Sequence, residues 1–208
     1  MAKEGDELMF RGAVDYLEQV SRMMLDTQVT NREGAALGLD EGAEAAVQMI
    51  VSLAGSSHKA MLAGNGGSAA MASHIQNDLC KAVGVRALVF TEQPLLMALA
   101  NDDGYETIFE MPVRLWAQPG DLMIGLSSSG RSENILRAVR SSQERQCGVI
   151  TLSGFSPDNP LRRLGDLNFY VDSDVYGYVE TAHAALAHFM VDRAASLIRA
   201  GADGEGLP

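Results

Sequence analysis

The sequence predicts an α/β domain, a parallel β-sheet with helices on both faces. Two observations carry this. From Lys59 onward five short apolar runs recur, at 60–63, 87–90, 122–126, 149–152 and 167–171. Between and after them lie stretches of helical length and patterning, at 68–83, 105–116, 132–144 and 178–198. Consecutive strands spaced by helices run parallel, because a parallel pair needs a long crossover connection. Runs that are apolar at every position belong to strands covered on both faces. With 208 residues, 47% of them hydrophobic, the chain has the size of one domain with an ordinary core.

The first sixty residues read as two helices that precede the sheet. Leu8, Phe10, Val14, Leu17, Val20 and Met24 recur at helical spacing. A polar break follows at Asn31-Arg32-Glu33-Gly34. Asp40 or Glu41 then opens a second helix with Ala43, Ala46, Val47, Ile50 and Leu53 apolar. The stripe on the first helix has no strand partner nearby, so it is expected to pack on another subunit or across the sheet edge. Residues 1–57 thus form a helical segment, 58–200 the α/β core, and 201–208 a disordered tail. No repeat or linker divides the chain.

A formal charge of −11 argues against a nucleic-acid partner, which needs a basic surface. It also means that any site for an anion is built locally, from backbone N–H groups and helix N-termini. No apolar run is long enough to cross a bilayer, so no membrane partner is expected, and the polar N-terminus has no leader-like segment. Cys80 and Cys147 have no paired spacing, which fits reduced thiols in a cytoplasm.

In open α/β sheets ligands bind beyond the carboxyl ends of the strands, so the loops there matter most. After the first strand comes Gly64-Asn65-Gly66-Gly67-Ser68, which lets backbone N–H groups, that of Gly66 among them, approach a ligand at a helix N-terminus. After the third comes Ser127-Ser128-Ser129-Gly130-Arg131-Ser132, again entering a helix. An N-cap needs one serine; four hydroxyls suit a phosphate, to which they donate without net charge. Arg131 adds a cation to the loop or faces solvent. Neither loop has the Walker or dinucleotide spacing, so the ligand is a phosphorylated small molecule rather than a nucleotide.

Two helices carry the acid–base candidates. His74 and Asp78, four apart, share a face about two turns beyond the first loop, either as a surface pair or within reach of a sugar chain extending from the phosphate. On the last helix Glu180 and His188, eight apart, share a broad face. His183 diverges from His188 and reads equally well as a packing histidine, and His58 as structural. His74, Asp78, Glu180 and His188 form either a metal-free acid–base cluster or a two-histidine, two-carboxylate set suited to zinc or another divalent ion. No organic cofactor is expected.

Together, Gly64–Ser68, Ser127–Ser132, Ala100-Asn101-Asp102-Asp103-Gly104-Tyr105 and the late histidine-bearing helix resemble the sugar isomerase (SIS) domain family, on its phosphoheptose isomerase branch. The resemblance implies a three-layer sandwich with a five-stranded parallel sheet. It also implies a homotetramer with active sites between subunits and the N-terminal helices in the interface. It implies phosphate binding by Ser68, Ser127, Ser129 and Ser132 with the backbone of Ser128, and sugar contacts by Asn65 and Asp102. His74 and His188 match the family's active-site histidines, whose positions carry zinc in some members. Asp78 stands where the family usually has Glu, Glu180 where it has Gln, and Gly177 where it has an acidic sugar contact. The implied reaction is isomerisation of a ketose phosphate through an enediol, with sedoheptulose 7-phosphate the leading substrate and a longer octulose phosphate the alternative. Two non-enzymatic readings remain open: an adaptor for a replication initiator and a sugar-phosphate-sensing regulator. Both catalytic carboxylate positions being filled favours the enzyme over the adaptor; the absence of a DNA-binding segment and the acidic charge disfavour the regulator.

Overall fold

The computed structural model describes residues 10–204, with side chains through Gly201; Leu8 and the end of the tail lie outside the described residues. All five expected strands form: β3 (Ala60–Ala63), β4 (Ala87–Val89), β5 (Leu122–Ser127), β6 (Gly148–Ser153) and β7 (Leu167–Tyr170). They pair in parallel in the order β7-β6-β5-β3-β4. Two further strands, β1 (Gln28–Asn31) and β2 (Ala36–Leu37), extend the sheet antiparallel beyond β7. The polar break expected between two helices is therefore a hairpin turn. Gly34 takes φ +80°, its N–H donates to the Asn31 carbonyl, and the Asn31 side chain accepts from Ala35. Strands of four and two residues are too short to show alternation, and pairing with β7 makes them.

The strands alternate between two cores. Ala60, Leu62, Leu122, Ile124, Ile150 and Leu152 face one side, with α2 (Leu39–Val51), α3 (Gly67–Asp78) and α7 (Tyr176–Gly204). Met61, Ala63, Met123 and Val149 face the other, with α4 (Gln93–Asp102), α5 (Glu110–Trp116) and α6 (Glu133–Glu144). Burial on both faces explains why every residue of β3 and β5 is apolar or small. The single helix expected at 105–116 is instead a 3-10 turn at Tyr105–Thr107 followed by α5, and α4 before it was not expected. Pro94 in the first turn of α4 is the start signal that the apolar run beyond it concealed. α7 runs on to Gly204, so the tail expected from Gly201 begins as helix.

α1 (Ala13–Leu25) packs along α7, where the Tyr16 and Tyr178 rings meet, and buries Val20, while Val14, Leu17 and Leu25 remain 72%, 63% and 71% exposed. No helix among the described residues is long and apolar enough to cross a membrane. Both cysteines are free thiols; burial pushes the Cys147 thiol up to about 11, which keeps it protonated.

Candidate active site

Chain direction places the site. β3 leads outward to β4, whereas β5 lies on the other side of β3 and leads the opposite way to β6. The loops after β3 and β5 therefore diverge over a crevice at the carboxyl ends of the strands. A cavity of about 250 Å³ opens there. One wall is Asn65, Gly66, Gly67 and Ser68; the other is Ser127, Ser128, Ser129 and Ser132; Tyr176 and Glu180 of α7 close it. Ser68, Ser127, Ser128, Ser129 and Ser132, expected at the phosphate, thus line one space with Asn65 and Gly66.

Local chemistry shapes both walls. Gly66 caps α3 with φ +54°, a conformation that glycine adopts freely, and so turns the strand into the helix. The α3 N-terminus brings partial positive charge to the cavity. Ser127 Oγ donates to Ser132 Oγ at 3.3 Å and lies 3.5 Å from Ser129 Oγ, so three hydroxyls converge. Ser128 Oγ is buried with no hydrogen-bond partner, a donor left for a ligand oxygen. Arg131 does not turn inward; it pairs with Asp158 at 2.8 Å on the exposed outer side.

The acid–base candidates divide. His74 Nε2 lies 3.3 Å and His188 Nδ1 3.7 Å from the same oxygen of Asp78, and the two rings meet edge to face with centroids 5.0 Å apart. α3 and α7 pack together and bring His188 to the pair. The ligand atoms of these three residues lie within 4.8 Å of one another, which fits one face of a divalent cation held by two imidazoles and a carboxylate. Glu180 is not in this group. It stands eight residues before His188, about 12 Å along α7. Its carboxylate lies against Gly67, where an added Cβ would come within 2.7 Å of it. The expected four-residue set is therefore three residues, because positions eight apart share a helix face but not a point in space. Asp102 is also elsewhere: it ends α4 exposed, accepts from Asn101, and does not line the cavity.

Residues 15–154 match the SIS domain family, more than half the chain. The chain belongs to the SIS domain family. Among its SIS relatives, a protein named probable phosphoheptose isomerase from Thermoplasma acidophilum is 30% identical over 185 residues, covering 86% of this chain and 94% of that one. The phosphoheptose isomerase of Syntrophotalea carbinolica is 33% identical over 153 residues, covering 70% and 77%. The structure of a phosphoheptose isomerase from Neisseria gonorrhoeae superimposes with a TM-score of 0.74 at 27% identity, covering 88% of this chain and 96% of that one.

In this SIS domain Asn65 is held rather than free. It exchanges amide hydrogen bonds with Asn134 at 3.0 and 2.9 Å and accepts from the Tyr105 hydroxyl at 3.1 Å. Asn134 ties the first loop to the start of α6, and it is absent from the sequence-based candidates. A readable signal existed: it shares the inward face of α6 with Ala138 and Ser141, and a polar side chain there needs a partner.

His183 is fully buried, its Nε2 lies 3.1 Å from the Ser153 carbonyl, and burial pushes its pKa down to about 4. It is the packing histidine of the two readings. In the unfolded chain its pKa is about 6.5, so the stability it contributes is complete above that pH and is lost as pH falls toward 4. The loss amounts to up to about 3 kcal/mol. Thermal melts across this window should show His183→Gln flattening the acid limb relative to wild type; parallel limbs would contradict it.

Proposed function

We propose that this protein is a sugar-phosphate aldose–ketose isomerase that converts sedoheptulose 7-phosphate to a heptose 7-phosphate through an enediol. The observation that carries this is the pairing of a serine-lined anion cavity at the α3 N-terminus with a His–Asp–His group about two turns along the same helix. The names of the relatives support the same reaction.

The roles follow from the chemistry. Ser68, Ser127, Ser129 and Ser132 donate to the phosphate with the backbone of Gly66 and Ser128, and so fix one end of the sugar. Asn65 stiffens the first loop and presents its remaining polar edge to the chain. Asp78 takes the carbon-bound proton, and His188, beside it, moves a proton between the two oxygens. His74 holds the carboxylate from the other side. Glu180, the one carboxylate lining the cavity among the described residues, accepts from sugar hydroxyls or takes a proton there. Asp102, exposed within one chain, reaches sugar only across an assembly. His74, Asp78 and His188 would hold zinc or another divalent ion, which, when bound, polarises the substrate carbonyl.

The protein is further proposed to be a cytoplasmic homotetramer. The exposed Val14, Leu17 and Leu25 of α1 are an apolar surface of the kind that subunit contacts cover. Light scattering at micromolar concentration should give four chains; an active monomer would exclude the assembly.

A longer ketose phosphate, such as an octulose phosphate, is the second reading, because glycine stands at position 177 where the family resemblance places an acidic sugar contact. At Gly177 the space that a side chain would fill is taken by the Tyr16 hydroxyl, so the sugar-facing end of α7 has its own shape. Incubating the protein with ketose phosphates of increasing chain length, and detecting aldose products by mass and NMR, decides between them. Equal turnover of an unphosphorylated ketose would overturn the proposed reaction.

A further inference from the structure

The loop after β6 carries an asparagine that the proposed reaction does not use. Asn159 is fully buried and precedes a 3-10 turn at Pro160–Arg163. Its Nδ2 donates to Ser156 O at 2.9 Å and lies within reach of Gly154 O at 3.2 Å and Ser153 Oγ at 3.3 Å; its Oδ1 accepts from Arg162 N at 3.0 Å. One amide thus holds together both sides of this loop.

The other side of the same amide meets the serine loop. Gly130 takes φ +61°, and a Cβ built there would lie 2.0 Å from Asn159 Oδ1 and 2.3 Å from its Cγ. The Gly130 carbonyl accepts from Leu161 N at 3.1 Å, and its N–H closes the turn onto Ser127 O at 2.9 Å. Gly130 is the pivot between Ser127–Ser129 and Ser132, whose hydroxyls converge on the cavity. The backbone of the serine loop therefore rests directly on the Asn159 amide.

We propose that Asn159 is a positioning residue that sets the turn at Gly130 and thereby the spacing of the serine hydroxyls around a bound phosphate. The proposal rests on the reading of the cavity as a phosphate site. Few side chains can replace it. Asp has the shape but no donor, and would face the Gly154 and Ser156 carbonyls with a second set of acceptors. Leu fills the volume but leaves those carbonyls and Arg162 N unpaired. Ala leaves a void into which the Gly130 turn relaxes. Asn159 does not touch Asp78 or His188, so its loss acts on binding.

The test is a double-substitution cycle read by inorganic phosphate affinity and by KM and kcat with the sugar phosphate. Wild-type protein is measured first: if it neither binds phosphate nor turns over a sugar phosphate, the proposed function fails. If it does both, Asn159→Ala and Asn159→Asp should weaken phosphate binding and raise KM together by at least about tenfold, with kcat within about threefold. Gly130→Ala alone should weaken binding at least as much, since its methyl strikes Asn159 and a φ of +61° is strained for any side chain. Asn159→Gly alone should behave as Asn159→Ala does, and Gly130→Ala combined with Asn159→Gly should fall well short of the sum of those two single losses, because both break the same contact and the methyl gains its space. A merely structural role predicts lower melting temperatures with unchanged phosphate affinity, or additive losses; either overturns the proposal. Should Asn159→Ala not fold, Gly130→Ala tests the same contact from the other partner, and unchanged affinity there is equally decisive.

Discussion

Asp78→Asn lowers kcat by at least about 10²-fold while the affinity for inorganic phosphate stays within about threefold. Asn has the same shape and keeps an oxygen for one of the two histidines. What it loses is the capacity to accept a proton. Asp78 is the one carboxylate between His74 and His188, with both imidazoles contacting a single oxygen. Its side chain is 25% exposed, on the outer surface where α3 meets α7, so neither the core nor the phosphate cavity depends on it. A kcat loss with unchanged phosphate affinity separates a reacting group from a folding one. Isothermal titration with phosphate and steady-state kinetics on the same preparation measure both, and near-wild-type turnover would remove Asp78 from the reaction. If a divalent ion is bound there, the variant should also hold less of it by elemental analysis, since one of its three ligands is weakened.

Glu180→Gln is expected to move two constants in opposite directions. The carboxylate lies over Gly67, the first residue of α3, inside the cavity that would take a dianion. Removing a like charge at that range strengthens phosphate binding by about 1 kcal/mol, or roughly fivefold. Turnover should fall at least about 10²-fold, because the other side chains lining the cavity are hydroxyls and an amide, none of which takes a proton near neutral pH. Tighter phosphate with unchanged kcat would make Glu180 an electrostatic neighbour only. Weaker phosphate would mean that the carboxylate holds the α3 N-terminus in place rather than opposing the ligand. The result matters because Gln is the residue that the family resemblance places here, so the variant asks whether this chain has moved part of its proton chemistry along α7.

Much of this site was legible because its signals are local. Ser127–Ser132 and Gly64–Ser68 stand out at the ends of apolar runs, and His74 and Asp78 are one helical turn apart. Other parts were legible only by type. Asn134 is a polar residue in an otherwise buried stretch, so that it needs a partner could be read, but which partner could not; Asn159 is a buried residue in a largely exposed loop, and its burial could not be read at all. Asp102 was assigned to the sugar by motif alone, and its place at the exposed end of α4 depends on the turn at Tyr105–Thr107. Glu180 and His188 illustrate the limit of helical periodicity: it fixes direction around the axis, not distance along it.

By itself, the sequence determined the five parallel strands, most of the helices that cover them and the two loops that gather hydroxyls and amides. These depend on continuous apolar runs, on helical periodicity between them and on glycine and serine at turns, which act over a few residues. Only the tertiary structure decided that β5 lies beside β3, so that the two loops face one another. The same holds for the Gln28–Asn31 and Ala36–Leu37 strands at the sheet edge, for His188 joining His74 and Asp78, and for Glu180 standing apart from them. Those outcomes are pairings between distant segments, and they are settled by which faces of strands and helices can be buried together, a property of the packed whole.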